Sequence, residues 1–223
     1  GFGYWRWKSM IVKQTMGCMS DGDILFYSDA GTYWNEKGLS RFHEYLFELG
    51  KEKNGGILTF QEPFLEKDYS KGDALKLLGV YNNWDVLMSF QLWAGCFGIR
   101  KCENSVQLIS QWYNLLHQPS FFHLITDKRS SVSNLPGFVE HRHDQSIFSL
   151  LVKLVPHVEI DWKEQRMMTS EDSEVSNWSK MEKFPIQGRR YINRDLKVRI
   201  SSLPVNIYRL LLCFYLRLFE DFT

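Results

Sequence analysis

The sequence lacks an excess of charge of either sign, with 27 Lys and Arg against 26 Asp and Glu. That balance excludes a general nucleic-acid binder, which neutralises phosphates with a strong basic surplus. It is also poor in cysteine. Cys18, Cys96, Cys102 and Cys213 match no zinc spacing and build no disulfide framework. They read as reduced thiols in a reducing compartment, which points to the cytoplasm. No stretch reaches the roughly 20 apolar residues of a membrane-spanning helix. Internal repeats and low-complexity tracts are absent as well. What is left is an ordinary globular composition, 44% hydrophobic and 24% charged over 223 residues, which excludes a disordered chain. Such a length suits one large domain or one and a half. Aromatic residues are plentiful, at 16 Phe, 10 Tyr and 8 Trp. Flat faces of that kind fill cores and also suit sugar rings and bases.

Helical and extended patterns alternate along the chain, which predicts an α/β layer architecture. Trp7 to Met19 reads as a helix ending near Gly17. Ile24-Leu25-Phe26-Tyr27 reads as a short strand buried on both faces. Arg41 to Leu49 reads as a helix stopped by Gly50, and Gly56 to Phe60 as a second strand. Ser70 is placed to cap a helix over Lys71 to Leu78. Gln91 to Arg100 reads as a third strand. Val106, Ile109, Tyr113 and Leu116 fall at helical spacing before Pro119, and Ile147, Leu150, Leu151 and Leu154 do so before Pro156. Val158 to Trp162 reads as a last strand, and Thr169 to Lys180 as a polar loop. The pattern divides the chain into a core at 1–165 and, at 166–223, a polar loop plus a basic and apolar tail. That tail carries Lys183, Arg189, Arg190, Arg194, Lys197, Arg199, Arg209 and Arg217, then the seven-residue apolar run Leu210 to Leu216. It can dock on the core, or lie on an anionic membrane surface as a peripheral contact.

Two blocks concentrate chemistry. Tyr27-Ser28-Asp29-Ala30-Gly31 puts an acid directly after a strand, where ligands of open α/β sheets bind. Asp29 can hold a hard cation there or merely cap the next turn. His141-Arg142-His143-Asp144-Gln145-Ser146 packs two imidazoles, a guanidinium, a carboxylate and an amide at a helix start. The helix N-terminus keeps Asp144 charged, as a base or metal ligand must be, or Asp144 is simply the cap. Lys71-Gly72-Asp73, Gln91 to Gly95 and Gly3 to Lys8 add supporting polar and aromatic groups. A lysine such as Lys71 can reach a phosphate or stay solvated, and Gly95 admits a ligand or close packing.

In this order, Gly3-Tyr4-Trp5-Arg6-Trp7-Lys8, Gly22 to Gly31, Lys71-Gly72-Asp73, Gln91 to Arg100 and His141 to Ser146 resemble a family of glycosyltransferases of GT-A type, many of them bacterial enzymes of surface-polysaccharide synthesis. The resemblance covers roughly Gly1 to Asp161. It implies a Rossmann-like mixed sheet flanked by helices and incomplete at its N-terminus, because the first block opens where such domains already have a strand and helix behind them. It implies a nucleotide-sugar donor, a glycan or lipid-linked acceptor, and a Mn²⁺ or Mg²⁺ ion held by the first acid of an Asp-any-Asp motif. Asp29 matches that acid, whereas Gly31 stands in place of the second. It further puts Lys8, Lys71, Asp73, Gln91, Trp93, Gly95, His143 and Gln145 on the substrate side. Asp144 becomes the base in an inverting enzyme, or orients the sugar in a retaining one, with Trp93 or Trp34 stacking on a ring. The implied location is the cytoplasm, with contact to the inner face of the membrane through the tail. Two other readings compete: a metal-dependent hydrolase built on Asp29, His141, His143 and Asp144, and a non-catalytic relative that binds glycan or a partner.

Overall fold

The structure is a computed structural model that describes residues 2–165 and 181–188. Its centre is a strand, β4 (Phe90–Arg100), nearly all of it buried. On one side it pairs antiparallel with β1 (Ile24–Ser28), and on the other antiparallel with β3 (Ile57–Leu65). A short β5 (Val158–Ile160) then joins β3 in parallel, giving a mixed sheet of order β1-β4-β3-β5. A separate two-stranded ribbon pairs β2 (Thr32–Trp34) with β6 (Ile186–Gly188).

Alternation along the strands sends neighbouring side chains to opposite faces, and each face carries its own core. On one, Leu25, Ile57, Phe97 and Ile99 meet three helices: α1 (Trp7–Gly17), the 15-residue α6 (Glu103–His117), and α7 (Asp144–Val152). Trp112 is the centrepiece of that core, wholly buried against Phe97 and Phe148. On the other face, Leu58, Phe60 and Cys96 meet α2 (Leu39–Gly50), whose Phe42, Tyr45 and Leu49 recur at helical spacing. The architecture is thus a mixed α/β one, a mixed sheet flanked by helices.

Three short helices lie between β3 and β4: α3 (Glu66–Tyr69), α4 (Gly72–Leu77) and α5 (Trp84–Leu87). The expected capping role of Ser70 is not seen, because its hydroxyl donates to Glu66 Oε2 at 2.8 Å instead. The strand expected to be buried on both faces, β1, lies at the edge of this sheet, and only Leu25 of its five residues is fully buried. β3 outruns the expected Phe60 by five residues, its ladder continuing through a register irregularity between Glu62 and Leu65 that accommodates Pro63. β5 stops at Ile160, and the Asp161 carboxylate caps a turn over Trp162–Glu164. Val106 is exposed, the buried face of α6 being formed by Leu108, Ile109, Trp112, Leu115 and Leu116. Residues 181–188, placed with the tail by their composition, pack on the body: Ile186 is wholly buried beside Phe42 and Phe60. The polar loop at 169–180 and the tail beyond 188 lie outside the described residues.

One irregularity positions the candidate site. Between the pairs Thr59–Phe97 and Gln61–Leu92, β3 advances two residues while β4 runs five. The surplus forms a bulge over Trp93-Ala94-Gly95-Cys96, and it switches which β4 residues face which core: Leu92 and Ala94 share a core with Phe97 and Ile99. Bulges re-aim side chains and often border active sites.

Candidate functional site

Three charged side chains from three elements converge beside this bulge. Lys8 comes from the first turn of α1, Asp29 follows the last residue of β1, and Asp144 is the first residue of α7. The Lys8 ammonium lies 3.3 Å from Asp29 Oδ2 and 3.5 Å from Asp144 Oδ2. Both separations exceed the roughly 2.7–2.9 Å of a tight charge-assisted hydrogen bond, so one ammonium is shared between two carboxylates. Exposure falls steeply along the set: the side chains of Asp29, Lys8 and Asp144 are 38%, 7% and 4% exposed. Burial raises the Asp144 carboxyl from its usual 3.8 to about 6, with Lys8 opposing the rise and the nearby charge of Asp29 adding to it. Among the described residues no hydrogen bond reaches Asp144 Oδ2, leaving Lys8 as its ion-pair partner.

Asp29 is fixed from several directions. Its amide donates to the Gly95 carbonyl at 2.7 Å, carrying the β1–β4 ladder into the bulge. The Tyr27 hydroxyl donates to Asp29 Oδ1 at 2.7 Å. Tyr27 stands two residues away and so shares a strand face with Asp29, and its ring stacks on Phe97 at 5.2 Å. Burial and the Asp29 charge together push the Tyr27 phenol well above its ordinary range. The space at Gly95 is filled by the chain itself: a Cβ there would fall on the Trp93 indole nitrogen and 3.0 Å from Asp29 Oδ2. A Cβ on Gly188 would meet the other end of the same indole, at 3.3 Å. Glycines thus admit the Trp93 ring at both ends, and Gly95 serves close packing. Trp34 sits at the edge of the site, donating its indole N–H to Ser28 Oγ at 3.2 Å and packing edge-on against Phe26 and Phe42.

His143 holds a backbone conformation that disfavours any side chain, φ 52° and ψ −119°. At the other end of the sequence, just before α1, Gly3, Tyr4 and Trp5 form a left-handed turn with φ of 58°, 56° and 58°. Each non-glycine residue there costs roughly 1–2 kcal/mol. The two strained segments meet, with the imidazole 4.9 Å from the Tyr4 ring and 5.7 Å from that of Trp5. His143 Nδ1 lies 2.7 Å from the Ile125 carbonyl, and because a carbonyl only accepts, Nδ1 carries the proton. The other ring nitrogen, Nε2, faces Asp127 Oδ1 at 3.7 Å.

The remaining expected site residues bind the chain itself. The Lys71 ammonium is buried and donates to the carbonyls of His123 and Thr126, and burial lowers its proton affinity. It is neither solvated nor free for a phosphate. Asp73 accepts from the Ser131 and Val132 amides and the Ser131 hydroxyl. Burial would raise its carboxyl, but those bonds hold it down to about 2. Gln91 lies in a buried network: its amide reaches the Tyr69 carbonyl and Ser146 Oγ, and its Oε1 accepts from Gln145 at 2.8 Å. Glu66 sits beneath that network, paired with Lys153 at 2.9 Å. Through Gln145 the network steadies the first turn of α7, where Asp144 stands. His141 is buried, accepts from the Lys71 amide at 3.2 Å, and is kept neutral by burial and by Lys71.

Asp29 is the carboxylate able to meet a ligand from solvent. Its oxygens have spare lone pairs beyond the bonds from Tyr27 and Lys8, and a magnesium-type ion needs only one or two carboxylates when substrate phosphates and water supply the rest. That donor set fits a diphosphate-bound cation. The hydrolase reading needs Asp29, His141, His143 and Asp144 to converge on one ion; among the described residues no three His, Cys, Asp or Glu side chains gather where they could hold one. No helix among the described residues is long and apolar enough to cross a membrane. Comparison with family models, curated proteins and solved structures finds no match for this chain.

Proposed function

We propose that the chain is a GT-A-type glycosyltransferase that moves a sugar from a nucleotide-diphosphate donor to an acceptor hydroxyl on a glycan or lipid-linked acceptor. The observation that carries the reading is the single ammonium of Lys8 shared by Asp29 at a strand tip and Asp144 at a helix start. The motif resemblance around both acids supports it. In this reading Asp29 faces the donor diphosphate and holds Mn²⁺ or Mg²⁺, which when bound offsets charge on the leaving group. Lys8, loosely shared at rest, turns toward the phosphate as negative charge develops there. Its departure uncovers Asp144, whose proton affinity near neutrality suits acceptance of a proton from the acceptor hydroxyl. The acceptor lone pair forms the new glycosidic bond, the old sugar–phosphate bond breaks, and the diphosphate leaves with that electron pair. His143 Nε2, held at a fixed tautomer, hydrogen-bonds a donor hydroxyl. Trp93 lines the sugar side.

Thermal-shift titration with UDP-, GDP- and CMP-sugars, with and without Mn²⁺, tests the reading. A donor at a hundredfold excess over its Kd stabilises the fold by about 2.7 kcal/mol. At least one UDP- or GDP-sugar is expected to raise Tm, more so with Mn²⁺, and Asp29→Ala is expected to abolish the metal-dependent part; a shift with the monophosphate CMP-sugar alone would overturn the diphosphate reading. No shift with any donor overturns the proposal. A shift with no transfer or donor hydrolysis would instead favour the non-catalytic binding relative.

A further inference from the structure

Away from this site, between α4 and α5, the chain forms an open cavity of about 600 Å³ that the proposed transfer chemistry does not use. Clefts for small molecules typically span roughly 300–1,000 Å³. Its wall includes Trp84, 59% exposed, an unusual place for the largest aromatic side chain. Around it stand Lys76, Tyr81, Asn82 and Asp85.

The loop is held in shape from beneath. α4 ends at Gly79, whose φ of 73° closes the helix, and the Val80 amide turns back to the Leu75 carbonyl at 2.9 Å. Val80 and Leu87 are buried at the two ends of the loop and anchor it. Tyr81 donates its hydroxyl to the Ser133 carbonyl at 2.8 Å, and Asn83 caps α5 through the Val86 amide. The residues facing the opening remain uncommitted: among the described residues the Asn82 amide, the Asp85 carboxylate, the Lys76 ammonium and the Trp84 indole N–H have no hydrogen-bond partner. Gly79 is exposed, and a Cβ there would meet nothing within 4 Å, so this part of the lining is unobstructed.

The lining defines its ligand. One ammonium and one carboxylate balance, which selects against a strongly charged molecule. Planar amide and carboxylate groups around the opening call for hydroxyls that both donate and accept. The bare indole face calls for a flat apolar surface on the same molecule. A pyranose ring has equatorial hydroxyls at its edge and C–H groups on its face, and it meets all three demands. We propose that this cavity is a second carbohydrate site, binding a neutral oligosaccharide by stacking on Trp84. It requires no nucleotide and no metal, and it stands whether or not the Lys8–Asp29–Asp144 set transfers a sugar.

Titration of the whole chain with maltohexaose, cellohexaose and chitohexaose, followed by tryptophan fluorescence and by calorimetry without nucleotide, tests it. Saturable binding of at least one oligosaccharide is expected, weakened at least tenfold in Trp84→Ala and several-fold in Asn82→Ala, and unchanged in Asp29→Ala. Trp84 is exposed, so its replacement leaves the core intact, and an unaltered Tm verifies this. Failure of all three oligosaccharides to bind overturns the proposal, as does binding that survives Trp84→Ala or is lost in Asp29→Ala. Self-association of the wild type through this face, abolished by Trp84→Ala, with no saccharide binding, would assign the surface to protein contact instead.

Discussion

Replacing Asp144 with Asn should stabilise the fold while removing the proposed transfer activity. The carboxyl is almost wholly buried and titrates near 6 rather than 3.8. Between those values the folded chain holds a proton that the unfolded chain has released, so stability falls as pH rises through that window and levels off above it. The displacement corresponds to about 3 kcal/mol at neutral pH, when the buried group must ionise on folding. Asn keeps the shape and removes the ionisation. Lys8 retains Asp29 as a partner at 3.3 Å. The variant should therefore exceed the wild type by about 1 kcal/mol at pH 4.5, rising to about 3 kcal/mol at pH 7.5. In a chain of this size each kcal/mol moves Tm by roughly 2–4 °C.

Urea unfolding followed by tryptophan fluorescence at several pH values between 4.5 and 7.5 reads that difference directly. The diagnostic quantity is its growth with pH, which distinguishes ionisation of residue 144 from any general effect of the substitution. A difference that stays constant, or an Asn variant less stable at pH 7.5, would refute the account of Asp144 as a buried, costly charge. Donor binding should persist in Asp144→Asn, because Asp29 and Lys8 remain, while transfer is lost.

Gly95→Ala puts a methyl against Trp93 and the Asp29 carboxylate; a loss of about 1–3 kcal/mol, together with a smaller donor-dependent shift in Tm, is the expected outcome. His143→Gly should be more stable than His143→Ala by at least about 1 kcal/mol, since both lose the imidazole but only Gly tolerates φ 52° without strain; equal stabilities in chemical denaturation would mean that the backbone there is relaxed. Asp73 is held down to about 2 by its bonds to Ser131 and Val132. The stability it contributes is present above about 4 and is lost as pH falls toward 2. Asp73→Ala should accordingly speed amide exchange at Ser131 and Val132 at neutral pH.

Much of the frame was readable because apolar spacing carries it. Helices at Trp7–Gly17, Leu39–Gly50 and Glu103–His117 follow their buried stripes. The strands over Ile24–Ser28 and Phe90–Arg100 follow runs of apolar residues bounded by turn residues. Where Gln61, Glu62 and Pro63 interrupt such a run, the reading stops β3 too early, because ladder bonds to β4 compensate for poor local propensity. Of the site, Asp29 and Asp144 were visible as acids at the ends of elements. The partnership of Lys8 with both was not, since a side chain 21 residues from one acid and far from the other is placed only by the packing of α1. Tyr27 was missed although its position two residues before Asp29 on a strand was a usable signal. Lys71, Asp73 and Gln91 show the opposite limit: their polarity suggested a ligand, but their partners are carbonyls, amides and hydroxyls from distant loops that spacing cannot reveal.

The shared lysine also separates a purely structural role from a functional one. Burying an ammonium and a carboxylate costs several kcal/mol per ion, and a well-packed apolar pair of similar volume is often as stable or more so. Lys8→Met alone leaves Asp144 buried without its cation, driving its carboxyl further above 6 and costing about 3–5 kcal/mol at pH 7. Adding Asp144→Leu removes the stranded charge, so the double variant should regain most of that loss. The coupling between the two sites, read from a double-mutant cycle in urea, should then be well above the few tenths expected of independent positions. Both variants should fail to transfer sugar however stable they are. A Lys8→Met protein that is unimpaired at pH 7, or whose loss is not relieved by Asp144→Leu, would show that the ammonium does not hold these carboxylates together, and the assignment of Lys8 to the donor phosphate would fall with it.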